Sequence, residues 1–200
     1  MENKHPNDIA ADFLRQTRDV IDVLGVPLRF ADAVDAVLRC TGIIVTTGLG
    51  KAGHAAKKCS SSFCSMGFLS CFLHPAEASH GDVGVITPRD MLVAFSTSGK
   101  TREVLETIEL ARSLGVSCVV AVTSHSESPV RAASDIVLEM GIMPEAGHIG
   151  LAPTTSIVIM LIIADMLATT CASVRGVTKD EFGLRHHGGY LGRKCRGEEP

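Results

Sequence analysis

The residues best suited to chemistry fall in two glycine-rich strings and two polar loops. The string TTGLGKAGH, residues 46–54, follows an apolar run and opens a helical one. Glycines let backbone N–H groups approach an anion closely, a helix start adds the positive end of its dipole, and Lys51 adds a mobile charge. A tight turn with a surface lysine has the same composition. Neither nucleotide motif fits: GxxxxGK is absent, and although Gly48, Gly50 and Gly53 have dinucleotide-binding spacing, no acidic residue ends the next strand. The string STSGKT, residues 96–101, also links an apolar run to a helical one. Its hydroxyls, Ser96, Thr97, Ser98 and Thr101, can join backbone donors around a phosphate, while Ser98 or Thr101 equally suits a plain N-cap. Between the two strings, residues 74–82 carry His74, Glu77, Ser79, His80 and Asp82, a density of titratable groups that fits a metal, sugar hydroxyls or an ordinary polar surface. A second polar loop holds Glu145 and His148, and its Pro153-Thr154-Thr155-Ser156 run fits the cap of the apolar helix that follows.

These residues need a frame that brings them to one place. From Gly42 onward, short β-rich runs alternate with helical ones, the signature of a parallel sheet covered by helices. Strands are expected at 43–46, 69–73, 91–96, 118–123 and 136–139, with helices at 52–65, 102–114, 129–134 and 154–174. That rhythm predicts an α/β fold, a three-layer αβα sandwich around a five-stranded parallel sheet of flavodoxin-like order, whose ligands bind outside the carboxyl ends of the strands. Both glycine-rich strings would then lie on one edge. Ahead of the sheet, Ile9, Phe13, Val20 and Leu24, then Phe30, Val34, Val37 and Leu38, repeat near the helical period on either side of Gly25 and Pro27. The reading is an N-terminal helical arm over 1–40 and one domain over 41–194. The polar, glycine-rich end after Gly176 is either a frayed terminus or an arm reaching a neighbouring subunit.

Composition limits the function. With 200 residues, 46% hydrophobic and 20% charged, the chain has the make-up of one globular domain, not of a collagen-like, disordered or disulfide-stapled protein. A net charge of -3 offers no broad cationic surface, so no nucleic-acid partner is expected. Seven cysteines without a CxxC pair read as reduced thiols in a cytoplasmic protein. Residues 1–8 are polar and lack the pattern of a secretory signal. The apolar run IVIMLIIA, 157–164, stops at Asp165, short of the roughly 20 residues that cross a bilayer. It is expected to be a packed central helix, or one shared between subunits, and no membrane partner is expected.

The runs GLGKAGH, HPAEASHGDVGVITPRD, STSGKTREV and GLAPTTS, and the ending RHHGGYLGRK, resemble in order and spacing the sugar isomerase (SIS) domain of arabinose 5-phosphate isomerases, over about residues 40–194. The resemblance implies interconversion of ribulose 5-phosphate and arabinose 5-phosphate by a homotetramer with active sites shared between subunits. It places catalytic roles on Lys51, Glu103, Glu145 and His186. It places phosphate or sugar contacts on Thr47, Gly48, His80, Ser96, Thr97, Ser98 and Thr101, and an inhibitory zinc on His74. Departures are visible: relatives usually have SGE where this chain has Ser98-Gly99-Lys100, GKSG where it has Gly50-Lys51-Ala52-Gly53, and HPGG where it has His186-His187-Gly188-Gly189. Because the sequence stops at Pro200, a form lacking the regulatory pair of cystathionine β-synthase-type domains is expected.

The chemistry implied is an aldose-ketose isomerisation through a cis-enediol(ate), in which a carboxylate, Glu103 or Glu145, moves a proton between adjacent carbons without any cofactor. Lys51 would stabilise the developing oxyanion, and His186 would open the sugar ring or shuttle protons between O1 and O2. Two alternatives stand beside it: a sibling isomerase of the 6-phospho-3-hexuloisomerase or phosphoheptose isomerase type, and a sugar-phosphate sensor without turnover.

Overall fold

The structure, a computed structural model, describes residues 5–198; residues 1–4, part of the polar start, and 199–200 lie outside the described residues. Five strands, β1 (Ile44–Gly48), β2 (Ser70–Leu73), β3 (Met91–Phe95), β4 (Cys118–Thr123) and β5 (Ile136–Glu139), form one sheet in the order β2-β1-β3-β4-β5. Every pairing is parallel, with Ile44 opposite both Ser70 and Met91, and Met91 opposite Cys118. The central strands are buried on both faces, which is why they read as unbroken apolar runs in sequence.

Side chains alternate between two cores. Ile44, Met91, Val93, Phe95, Val120 and Val122 pack against helices α2 (Phe30–Arg39), α3 (Gly50–Ser65) and α7 (Thr155–Arg175). Val45, Leu92, Ala94, Val119 and Ala121 face α4 (Pro75–Ala78), α5 (Arg102–Ser113) and α6 (Pro129–Ala132). The result is the expected αβα sandwich. Helix α1 (Pro6–Asp22) buries none of its residues, whereas α2 buries Ala33, Val34, Ala36 and Val37 within the main core.

Several segments differ from the sequence expectation for physical reasons. Strand β1 continues to Gly48 because Thr47 and Gly48 pair with Ala94 and Phe95 of β3. The polar loop after β2 contains α4, started by Pro75, whose fixed φ suits a first helical turn, and then a 3-10 turn over Asp82–Val85. The tail forms α8 (Lys179–Leu184) and α9 (Tyr190–Cys195); a reciprocal capping box between Thr178 and Glu181 starts α8.

Helix α7 runs 21 residues, longer than the apolar run alone, and is long and apolar enough to cross a membrane by length and composition. Its burial assigns it to the core: Ile159, Met160, Ile163, Leu167 and Cys171 are covered within the main cluster. Asp165, the one acidic residue of the helix, pairs with Lys58 of α3 and accepts from the Ser62 hydroxyl at 3.1 Å.

Asp90 joins the amino ends of β1 and β3. It is 2% exposed, and its carboxylate accepts from Ile43 N at 2.6 Å, Thr87 N at 2.6 Å and the Thr87 hydroxyl at 2.9 Å. Replacing Asp90 by Ala strands those donors, each costing on the order of 1 kcal/mol or more when buried. Urea unfolding of Asp90→Ala is expected to show a loss of about 3 kcal/mol; a loss below about 0.5 kcal/mol would reject this role.

Candidate active site

Because all strands run the same way, Gly48, Leu73, Phe95, Thr123 and Glu139 end on one edge of the sheet. Strand order reverses between β1 and β3, so the chain leaves them toward opposite faces and opens a crevice between the starts of α3 and α5. Helix α3 begins tight against its strand: a Cβ at Gly53 would lie 2.5 Å from the Gly48 carbonyl oxygen, so only glycine permits the approach. Neither Leu49, which precedes α3, nor Thr101, which precedes α5, caps its helix with a side chain. Two sets of first-turn N–H groups are therefore left open beside each other, the arrangement that binds anions.

The STSGKT string wraps the start of α5. Ser96 is buried; its hydroxyl accepts from Gly99 N at 3.1 Å and stands 3.0 Å from the Thr101 hydroxyl. Ser98 is exposed and accepts from Lys100 N at 3.2 Å. Gly99 has a φ of 63°, and a Cβ there would meet the Ser128 hydroxyl at 2.2 Å, so this turn admits only glycine. The segment after β4 braces the loop from behind, with Ser124 N donating to the Thr97 carbonyl at 3.0 Å and Val130 N to the Gly99 carbonyl at 3.0 Å.

Buried polar atoms without partners mark the same edge. Of four such side-chain atoms among the described residues, three belong to Thr47 at the end of β1, His74 after β2 and Ser124 after β4. Native interiors leave few such groups, so their gathering here is what a site completed by a ligand or ordered water looks like. Ser124 was not among the residues singled out from sequence, although TSHSES after an apolar strand repeats the signal that picked out STSGKT.

Other expected site residues are placed as follows. Lys51 is exposed in the first turn of α3, and Glu103 is half-buried in the first turn of α5. Gly48 closes β1, Thr97 is half-buried in the STSGKT loop, and His80 is exposed just after α4. His74 precedes α4 with its ring edge-on to Phe72 at 6.1 Å. No group of three His, Cys, Asp or Glu side chains suited to a metal occurs among the described residues.

Glu145 is anchored. Its carboxylate accepts from Thr154 N at 2.8 Å, Ser156 N at 3.1 Å, the Thr154 hydroxyl at 3.2 Å and the Ser156 hydroxyl, holding the open start of α7. Burial pushes its pKa up, but the hydrogen bonds from Ser156 and Thr154 outweigh burial and leave it below the usual carboxylate value. The Gln16 side chain of α1 accepts from Gly147 N at 3.0 Å, fastening the same loop from outside.

His186 is not brought to this edge. Its Nε2 lies 3.4 Å from the Ser65 hydroxyl, its Nδ1 lies 2.9 Å from the Phe182 carbonyl, and its ring stacks on Phe182 at 4.1 Å. Ser65 ends α3 and Lys51 is its second residue, so the helix separates these two residues by about 21 Å.

A doubly wound αβα domain with two uncapped helix starts and a lysine at its switch point is an anion-binding scaffold. Residues 37–170 match the SIS domain family model, and the chain belongs to that family. It is 42% identical over 165 residues to arabinose 5-phosphate isomerase KdsD of Yersinia pestis, covering 82% of this chain and 50% of that protein. The Pseudomonas aeruginosa KdsD is 38% identical over 179 residues, covering 88% of this chain and 55% of that one. The chain thus spans about half the length of the curated relatives it matches. The structure of E. coli CFT073 c3406 in complex with arabinose 5-phosphate superposes with a TM-score of 0.86 at 31% identity, covering 93% of this chain and 100% of that one.

The depressed pKa of Glu145 sets a pH dependence. Its stabilising contribution is complete above the unfolded value of about 4.3 and is lost as pH falls through the lower folded value. Glu145→Gln is expected to cost about 1 kcal/mol at pH 7, the usual worth of a helix cap. Thermal melts of both proteins from pH 7 to pH 3 should converge at the acid end; a gap that stays constant would show that the charge of Glu145 plays no part.

Proposed function

We propose that this chain is an aldose-ketose isomerase interconverting D-ribulose 5-phosphate and D-arabinose 5-phosphate through a cis-enediol(ate). The reading is carried by the convergence of Lys51, Glu103 and the STSGKT hydroxyls on one edge, at two open helix starts. The N–H groups and hydroxyls of Ser98 and Thr101 hold the phosphate, while Ser96 and Thr97 shape the loop. Thr47, Gly48 and His80 line the sugar. Glu103 takes the C1 proton of ribulose 5-phosphate and returns it to C2; the electron pair shifts within the substrate, so the reaction needs no redox cofactor. Lys51 stabilises the oxyanion that grows on the former carbonyl oxygen.

Glu103 is the better base because both oxygens of Glu145 are already engaged by donors at the start of α7. Glu145 holds the crevice wall and keeps a negative charge near it. His186 acts on a site it does not share with Lys51 of its own chain, which fits a homotetramer whose tails reach neighbouring sites. The free state of all seven cysteines fits a cytoplasmic protein.

A proton NMR time course with ribulose 5-phosphate in deuterated water is expected to give arabinose 5-phosphate labelled at C2. Glu103→Gln should lower turnover by about 10² to 10⁴, the usual worth of a positioned base; near-normal turnover rejects the assignment. Lys51→Ala and His186→Ala, each nearly inactive, should recover activity when co-refolded, and no recovery rejects sites shared between subunits.

A further inference from the structure

We propose that Lys100 is a specificity residue, a second cation that selects substrates carrying a fully ionised phosphate; this rests on the isomerase reading above. Lys100 lies in sequence between Ser98 and Thr101, two residues before Arg102 opens α5. It is exposed, and its ammonium has no hydrogen-bond or ion-pair partner among the described residues. The next cation along the chain, Arg102, is already engaged by Glu106 at 2.6 Å. Lys100 is therefore an uncommitted charge on the loop.

Its backbone is fixed even though its side chain is free. Lys100 N donates to Ser98 Oγ, Gly99 N to Ser96 Oγ, and the Gly99 carbonyl is held by Val130 N. The four-carbon stem thus swings from a set point, and an ammonium on such a stem can reach any anion seated on Ser98, Thr101 and the open N–H groups of α5. Buried, unpartnered hydroxyls at the ends of β1 and β4, on Thr47 and Ser124, flank the same crevice and supply an independent sign that a polar ligand completes it. The sign of the charge at position 100 decides its effect on such an anion. A carboxylate there would repel the phosphate dianion, whereas the ammonium attracts it, and the attraction grows with the second phosphate charge.

The test uses inorganic phosphate as probe and the full chain. Calorimetric titration with phosphate at low salt is expected to show Lys100→Gln binding about 3- to 10-fold more weakly than the unaltered protein, with Lys100→Glu weaker still. The KM for ribulose 5-phosphate should rise by a similar factor in each variant, with a smaller fall in kcat. The difference should shrink as salt is added. Phosphate affinity and KM within twofold of the unaltered protein in both variants would overturn the proposal, as would an unaltered protein that binds no phosphate. Should phosphate binding depend on Lys100 while no sugar phosphate is isomerised, the role of Lys100 in anion binding would stand and the isomerase reading would fall.

Discussion

Two helices that begin without side-chain caps, side by side where the strand order turns back, set the terms for everything else at the crevice. Open N–H groups at a helix start must find acceptors, and a chain that provides none of its own leaves the role to an anion. Other helices here vary: Ser128 caps α6, Thr178 and Glu181 cap α8 and Glu145 takes the start of α7, whereas α2, α4 and α9 also begin without a side-chain cap. What sets α3 and α5 apart is that their open starts lie side by side after the adjacent strands β1 and β3. The lysines and hydroxyls around them are then easiest to understand as supports for a ligand already favoured by the backbone.

The acidic residues divide the same space between them. Glu145 is bound by four donors and held ionised, which suits a brace and not a proton acceptor with a free lone pair. Glu103 lies in the first turn of α5, close to the STSGKT loop by connectivity alone. A helix start favours carboxylates as it favours phosphates, so its place is electrostatically comfortable before any substrate arrives. His186, at the far end of α3, belongs geometrically to another neighbourhood.

Much of this frame was legible in the sequence because the relevant signals are local. Strands β4 and β5 begin and end where the apolar runs do, since a strand buried on both faces has little polar sequence to blur its limits. GLGKAGH and STSGKT announce themselves because glycine and hydroxyl residues between a strand and a helix have a direct stereochemical use. What escaped was non-local. Ser124 matters because β4 pairs beside β3 and sets it against the STSGKT loop, and the position of His186 relative to Lys51 depends on how the tail folds back along α3. The short helices α4, α8 and α9 escape a sequence reading because so few residues give little period to read, although α6, equally short, is expected at 129–134.

Helix α7 bears a consequence of its own. A helix that is greasy nearly all the way round carries little information about which side should face inward, so hydrophobicity alone would let it roll against the sheet. Asp165, held by Lys58 and the Ser62 hydroxyl, breaks that degeneracy. A single charge thus works as an indexing pin: its worth lies less in strength than in ruling out other rotations of the helix. Sequence drift along α7 should be permissive in size and branching at many positions, yet a one-residue insertion between the capped start and Asp165 would turn the pin by about 100° and put start and pin at odds.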